Sequence, residues 1–215
     1  MPASGRFGAM LGARRAEVAA ALAAARGGDE KLLGVGGKHL ARAQGANALL
    51  VGSPSLPAAQ RYTGVVWDAL DLGSLRAPAR RRVIESVAVV SGLLGLVALD
   101  DPTPDYRLKM GAALAPMGKL STWWRPAVSA EIARWARGRY LVDLLPNEHR
   151  AAYAPDDDQA GVRVGFVERT GKAAGHDAKA AKGRLARHLI EWKGHPLDGL
   201  DAWTDDRFDL TITGL

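Results

Sequence analysis

The segment that most constrains what this chain can fold into runs from Val87 to Gly111, VAVVSGLLGLVALDDPTPDYRLKMG. Val87, Val89 and Val90 are β-branched and unbroken by charge, which predicts a short buried strand, and Ser91-Gly92 ends it abruptly. Loops at strand ends are frequent places for ligands, because the strand fixes a backbone that glycine leaves open to close approach. Gly95 repeats that opening. Asp100-Asp101-Pro102-Thr103-Pro104 then reads as a rigid turn that delivers Tyr106-Arg107-Leu108-Lys109-Met110-Gly111, which alternates as a strand does. Arg107 and Lys109 share one face of such a strand. Two readings stay open: a core hairpin with a solvated basic face, or part of a site.

At 215 residues the chain is long enough for one domain, 1–215, in which folding buries roughly 70% of the extended surface. The formal charge of +6 favours a diffuse attraction to nucleic acid or another polyanion. The lack of cysteine excludes disulfides, cysteine nucleophiles and thiolate metal sites. No stretch approaches 18 uninterrupted apolar residues and Met1–Gly12 lacks the apolar core of a signal peptide, so a soluble, cytoplasmic protein without membrane contact is expected. His39, His149, His176, His188 and His195 are scattered without the spacing of a metal site; neither a metal nor a cofactor is expected.

Residues 13–50 read as a helical segment. ARRAEVAAALAAA from Ala13 to Ala25 is a strong helix former that Gly27-Gly28 stops. Asn47 to Gln60, broken by Gly52, Pro54 and Pro57, reads as a covering loop. Over 51–215 the elements mix. Leu120, Trp123, Trp124, Val128, Ile132 and Trp135 recur at three- and four-residue spacing and predict a helix with a buried aromatic stripe, which Pro126 kinks or restarts. Tyr140–Leu145, Val162–Val167 and Phe208–Thr213 read as strands. Without a regular βαβ rhythm, the expected fold is α+β: a single domain with a mixed sheet flanked by helices. Asp143, inside an apolar strand, demands a cation or several amide donors, with Arg107 or Lys179 the expected partner.

Two basic, glycine-bearing segments stand out. Leu33-Gly34-Val35-Gly36-Gly37-Lys38 resembles the helix-hairpin-helix element, in which glycines let backbone amides approach a DNA phosphate and a lysine adds charge. The second is the helix that Asp177 can cap. It carries Lys179, Lys182, Arg184 and Arg187 around Gly183, whose mid-helix cost of about 1 kcal/mol suggests that something approaches the backbone there.

Tyr62-Thr63-Gly64-Val65-Val66-Trp67-Asp68, Ser91-Gly92-Leu93-Leu94-Gly95, Tyr106–Gly111, Trp123-Trp124, Val142-Asp143-Leu144 and Ala178-Lys179 together resemble, in order and spacing, the bacterial peroxide stress protein YaaA family. The resemblance implies a compact α/β fold with a helix-hairpin-helix element, binding of double-stranded DNA, and a part in limiting iron-dependent oxidative damage. Ser91, Gly92, Tyr106, Arg107, Met110, Gly111, Asp143, Lys179 and Gly183 fall on its pattern. Lys182 stands where the family usually has arginine, replacing a planar fork by a point charge. The family usually opens with a hydrophobic strand and a Pro-Ser-Glu-Gly-Lys-like loop, whereas MPASGRFGAMLGARR opens this chain. A late-assigned start or a truncation is the expectation there, with an uncovered sheet edge or groove as its sign.

The resulting expectation is a protein of leaning non-enzymatic character that binds DNA without sequence preference through Gly34, Gly36, Gly37, Lys38, Lys179, Lys182, Arg184 and Arg187. The alternative is an enzyme acting on a small anionic or nucleotide-like ligand in a pocket of Ser91, Gly92, Tyr106, Arg107, Asp143 and Lys179, with Ser91 or Lys179 as nucleophile or base.

Overall fold

The computed structural model describes residues 4–170 and 176–215. In chain order the elements are α1 (Gly8–Ala24), α2 (Glu30–Leu33), α3 (Gly37–Ala48), β1 (Ser55–Pro57), α4 (Ala58–Arg61), α5 (Val65–Leu70) and α6 (Ala77–Ser86). There follow β2 (Ala88–Ser91), β3 (Gly95–Ala98), β4 (Pro102–Pro104), β5 (Ala113–Leu114), β6 (Gly118–Lys119) and α7 (Leu120–Trp135). The chain closes with β7 (Leu141–Asp143), α8 (Asn147–Arg150), β8 (Gly161–Glu168), α9 (His176–Glu191), α10 (Pro196–Asp201) and β9 (Phe208–Gly214). The fold is α+β, as the sequence predicts. Its described strands form small sheets, one of them mixed, and the residues group into two compact units.

The first unit comprises Met1–Arg61, Val87–Trp135 and Leu145–Asp156. Its centre is the antiparallel β2–β3 hairpin, in register from Ala88↔Ala98 to Ser91↔Gly95, with every residue of β3 buried. The apolar stripe of α1, Leu11, Val18 and Leu22, is also buried. Arg15 of the same helix is only 2% exposed, and its guanidinium donates to the carbonyls of Leu94, Leu96 and Ser4 at 2.8–2.9 Å. A buried cation without such acceptors would be strongly disfavoured. On α7, Trp124 is fully buried and donates its Nε1–H to Gly92 O at 2.9 Å, and the helix runs through Pro126 without ending.

Two expectations fail locally. Tyr106–Lys109 has no regular secondary structure and joins no ladder, and the Asn47 side chain takes the place of a neighbouring strand. Its Oδ1 accepts from Arg107 N at 2.9 Å and its Nδ2 donates to Arg107 O at 2.8 Å. The alternation itself holds, with Leu108 and Met110 buried and Arg107 and Lys109 exposed. The stretch from Asn47 to Gln60 is more than a covering loop, since it holds β1, which pairs antiparallel with β4 from Ser55↔Pro104 to Pro57↔Pro102. Proline is tolerated there because a two-stranded edge leaves N–H positions without a required partner.

The second unit comprises Tyr62–Ser86, Ala136–Leu144 and Asp157–Leu215. β7 runs parallel to β8 and β8 antiparallel to β9. Val162 and Val164 of β8 pack with Leu185 of α9 and Leu200 of α10 into one core. α9 also lies against α5 so closely that a Cβ at Gly183 would collide with Val66 O, and would stand 2.8 Å from Ala69 Cβ. The glycine that sequence analysis singled out is a helix-packing glycine.

Candidate nucleic-acid interface

In the first unit, α2 and α3 are joined by three residues. Asp29 caps α2, its Oδ1 accepting from Leu32 N at 2.7 Å, and Gly34 ends the helix in the left-handed region at φ 62°. Gly36 is extended (φ −124°, ψ 179°) at the start of α3, where a glycine can offer no capping side chain. The first turn of α3 therefore presents N–H groups with no side-chain cap and no acidic residue among them. Gly37 has φ 55°, and a Cβ added there would meet nothing within 4 Å, so its surroundings are open.

Basic side chains surround this turn. Lys38 and His39 are exposed in the first turn of α3. Arg107 donates its Nε–H to Leu33 O at 3.2 Å, which satisfies a C-terminal carbonyl of α2. The Lys109 ammonium packs against Gly34 so tightly that a side chain at 34 would collide with it. Glu30 opposes them: its carboxylate lies beside Gly36, with Oε1 2.5 Å from where a Cβ would stand. Asn47 fixes the arrangement, since its Nδ2 also donates to Gly27 O at 2.9 Å and so ties the end of α1, the 107–109 segment and α3 together. Asn47, Lys109 and Glu30 escaped sequence reading as parts of this feature, because the strand-like alternation of 106–111 pointed Lys109 elsewhere.

The pocket residues fall into two groups. Ser91 Oγ lies 2.7 Å from Tyr106 Oη and accepts from Leu94 N at 3.0 Å, at 2% exposure, so the hydroxyl holds the β2–β3 turn. Gly92 is required by packing: a Cβ would stand 2.7 Å from Leu108 O. The structure thus brings Ser91, Gly92 and Tyr106 together beside the 107–109 segment, in the first unit. Asp143 and Lys179 belong to the second unit. Asp143 is buried, as expected, and forms an ion pair at 3.7 Å with Arg163, its register partner on β8, a cation the sequence reading had not considered.

The basic helix α9 differs from the α2–α3 turn. Lys179 is exposed and Lys182 half-buried. Arg184 forms an ion pair with Asp205 through both Nε and Nη2, and Arg187 donates to Leu70 O at 3.1 Å and Asp71 O at 2.8 Å. Burial pushes the Asp205 carboxyl up, but the Arg184 guanidinium and the Arg207 and Phe208 N–H groups outweigh it and hold the group below the usual carboxylate range.

Comparison with known proteins defines the class. The sequence profile of the peroxide stress protein YaaA matches residues 12–212. A UPF0246 protein of Streptomyces coelicolor is 42% identical over 149 residues, 67% of this chain and 56% of the relative. UPF0246 proteins of Corynebacterium glutamicum and Dinoroseobacter shibae are 34% and 31% identical over 165 and 157 residues, covering 74% and 67% of this chain and 64% and 57% of theirs. The chain belongs to the peroxide stress protein YaaA family, also called UPF0246. It spans between about half and two thirds of the length of these curated relatives. Among the described residues no helix is long and apolar enough to cross a membrane.

Proposed function

We propose that this protein serves the peroxide stress response from the cytoplasm by binding duplex DNA through the α2–α3 turn, acting there as a helix-hairpin-helix element. Covering DNA in this way would limit the damage that iron-driven peroxide chemistry inflicts on it. One observation carries the reading: the glycine turn leaves the first N–H groups of α3 without a side-chain cap and Gly37 in open surroundings, with Lys38 in the same turn and the Lys109 ammonium against Gly34. N–H groups at a helix start favour a phosphate oxygen, and ammonium groups add charge without geometric demand. Such contacts position a backbone and read no base, so the binding is independent of sequence.

The test is fluorescence anisotropy of a labelled duplex across a salt series. Two to four engaged phosphates give a slope in log K against log salt of about −2 to −3.6. Lys38→Ala combined with Lys109→Ala reduces its size by about 1.8. No binding at low salt, or a slope that the double variant leaves unchanged, removes the proposal.

A further inference from the structure

Two of the basic side chains beside the α2–α3 turn, Arg107 and Lys109, sit on a stretch that pairs with no strand. A segment without ladder partners is ordinarily the mobile part of a fold, and a lysine carried on it has to be ordered anew by each ligand. Here the backbone is held from several sides. Ser91 Oγ lies 2.7 Å from Tyr106 Oη, and Gly92 packs so closely that a Cβ would stand 2.7 Å from Leu108 O and 3.1 Å from Lys109 C. Glu148 Oε1 accepts from Gly111 N at 2.6 Å. These contacts reach the β2–β3 turn and α8.

Asn47 belongs to α3 itself, in that helix's last turn and at the opposite end from Lys38. Its side chain is fully buried: Oδ1 accepts from Arg107 N at 2.9 Å, and Nδ2 donates to Arg107 O at 2.8 Å and to Gly27 O at 2.9 Å. One carboxamide thus engages both main-chain groups of Arg107, as a strand neighbour would. Any slide of Arg107 would leave buried polar groups unpaired, which costs far more than a lost surface contact. From that fixed point Leu108 turns into the core, the Arg107 Nε–H reaches Leu33 O at 3.2 Å, and the Lys109 ammonium reaches Gly34.

We infer that Asn47 is the positioning residue of the phosphate site: by fixing the Arg107 backbone against α3 it sets the Lys109 ammonium at Gly34 before any duplex arrives. The inference rests on the duplex-binding reading of the turn and adds to it a division of labour. Lys38 owes its place to the first turn of α3, whereas Lys109 owes its place to a buried amide at the other end of the same helix. A cation held in this way binds a phosphate without first losing the freedom of the segment that carries it. Asn47 touches no phosphate itself and acts only through Lys109.

The test is a double-variant cycle read in the salt slope of duplex binding, together with amide hydrogen exchange of the parent. Lys109→Ala lowers the size of the slope by about 0.9, Asn47→Ser lowers it by the same amount, and Lys109→Ala has no further effect once Asn47→Ser is in place. Lys38→Ala still removes about 0.9 in the Asn47→Ser background, which a general loss of fold would not allow. In the parent the Arg107 amide exchanges slowly without DNA, and adding a duplex leaves its rate unchanged. A full Lys109 decrement surviving in Asn47→Ser overturns the inference while leaving the turn as the duplex site. Disappearance of the Lys38 decrement in that background overturns it too, since Asn47 would then support the whole turn. Should Asn47→Ser not fold, the exchange measurement decides: an Arg107 amide protected only when duplex is present overturns the inference. A parent that binds no duplex at low salt is a different failure, which removes the reading of the turn and this inference with it.

Discussion

The α2–α3 turn and helix α9 carry the same signature in sequence, glycine among basic residues, and the structure surrounds it differently in the two. In the turn, glycine leaves space: Gly37 has nothing near it, and Lys38 stands exposed beside uncapped N–H groups. In α9, glycine fills space: Gly183 admits the backbone of α5, Arg187 is held by the carbonyls at its end, and Arg184 is held by Asp205. Glycine and arginine report close approach and charge, and only the three-dimensional neighbour decides whether the thing approached is a ligand or another part of the chain.

The largest effect that tests this contrast is on stability. Both Gly183 and Gly45 lie inside helices, and by helix propensity either one replaced by alanine gains up to about 1 kcal/mol. Gly45→Ala keeps that gain because a Cβ there meets nothing within 4 Å. Gly183→Ala loses about 2–3 kcal/mol instead, as overpacking against α5 outweighs propensity. Denaturant melts of the two variants check the pair, and equal signs would break the contrast.

Next in size is Arg184→Ala, which costs about 1–2 kcal/mol near neutral pH by leaving the Asp205 carboxylate with its N–H donors alone. The sign with pH follows. A depressed folded-state pKa contributes stability that is present above the unfolded value, near 4, and is lost as pH falls through the folded value. Removing Arg184 lets burial raise that pKa, so the variant loses its acid-side stability at a higher pH than the parent does. Acid-unfolding midpoints measured side by side give the answer, and coincident midpoints would detach Asp205 from Arg184.

The smallest effect concerns Glu30, whose carboxylate lies beside Gly36. If the turn holds a phosphate as proposed, Glu30→Gln removes a negative charge next to it and strengthens DNA binding about two- to threefold, of the order of a surface ion-pair increment. Anisotropy at fixed salt resolves that change, and weaker binding would place the DNA away from the turn.

Much of the fold was legible because local pattern and tertiary demand agree. The spacing of Leu120, Trp124, Val128 and Ile132 fixes α7, and each of these residues is buried. Tyr106–Lys109 was half legible: the in-and-out alternation survives, but the neighbour that pairs with it is the Asn47 side chain 60 positions away, which no local pattern encodes. The same limit governs the site. Ser91 is, with Lys179, a candidate nucleophile or base in sequence, and the engagement of its hydroxyl by Leu94 N and Tyr106 in a buried turn is visible only in the fold. Asp143 could be recognised as a buried carboxylate in need of a cation, but Arg163 becomes visible only through the β7–β8 register.

The most direct measurement of the central claim is an amide chemical-shift titration of the protein with a short duplex at low salt. The account predicts that the Gly36, Gly37, Lys38 and His39 resonances move together with a common affinity, that those of Gly183 to Arg187 stay in place, and that added salt returns the moving ones to their free positions. Shifts centred on α9 with the turn amides unmoved would contradict it.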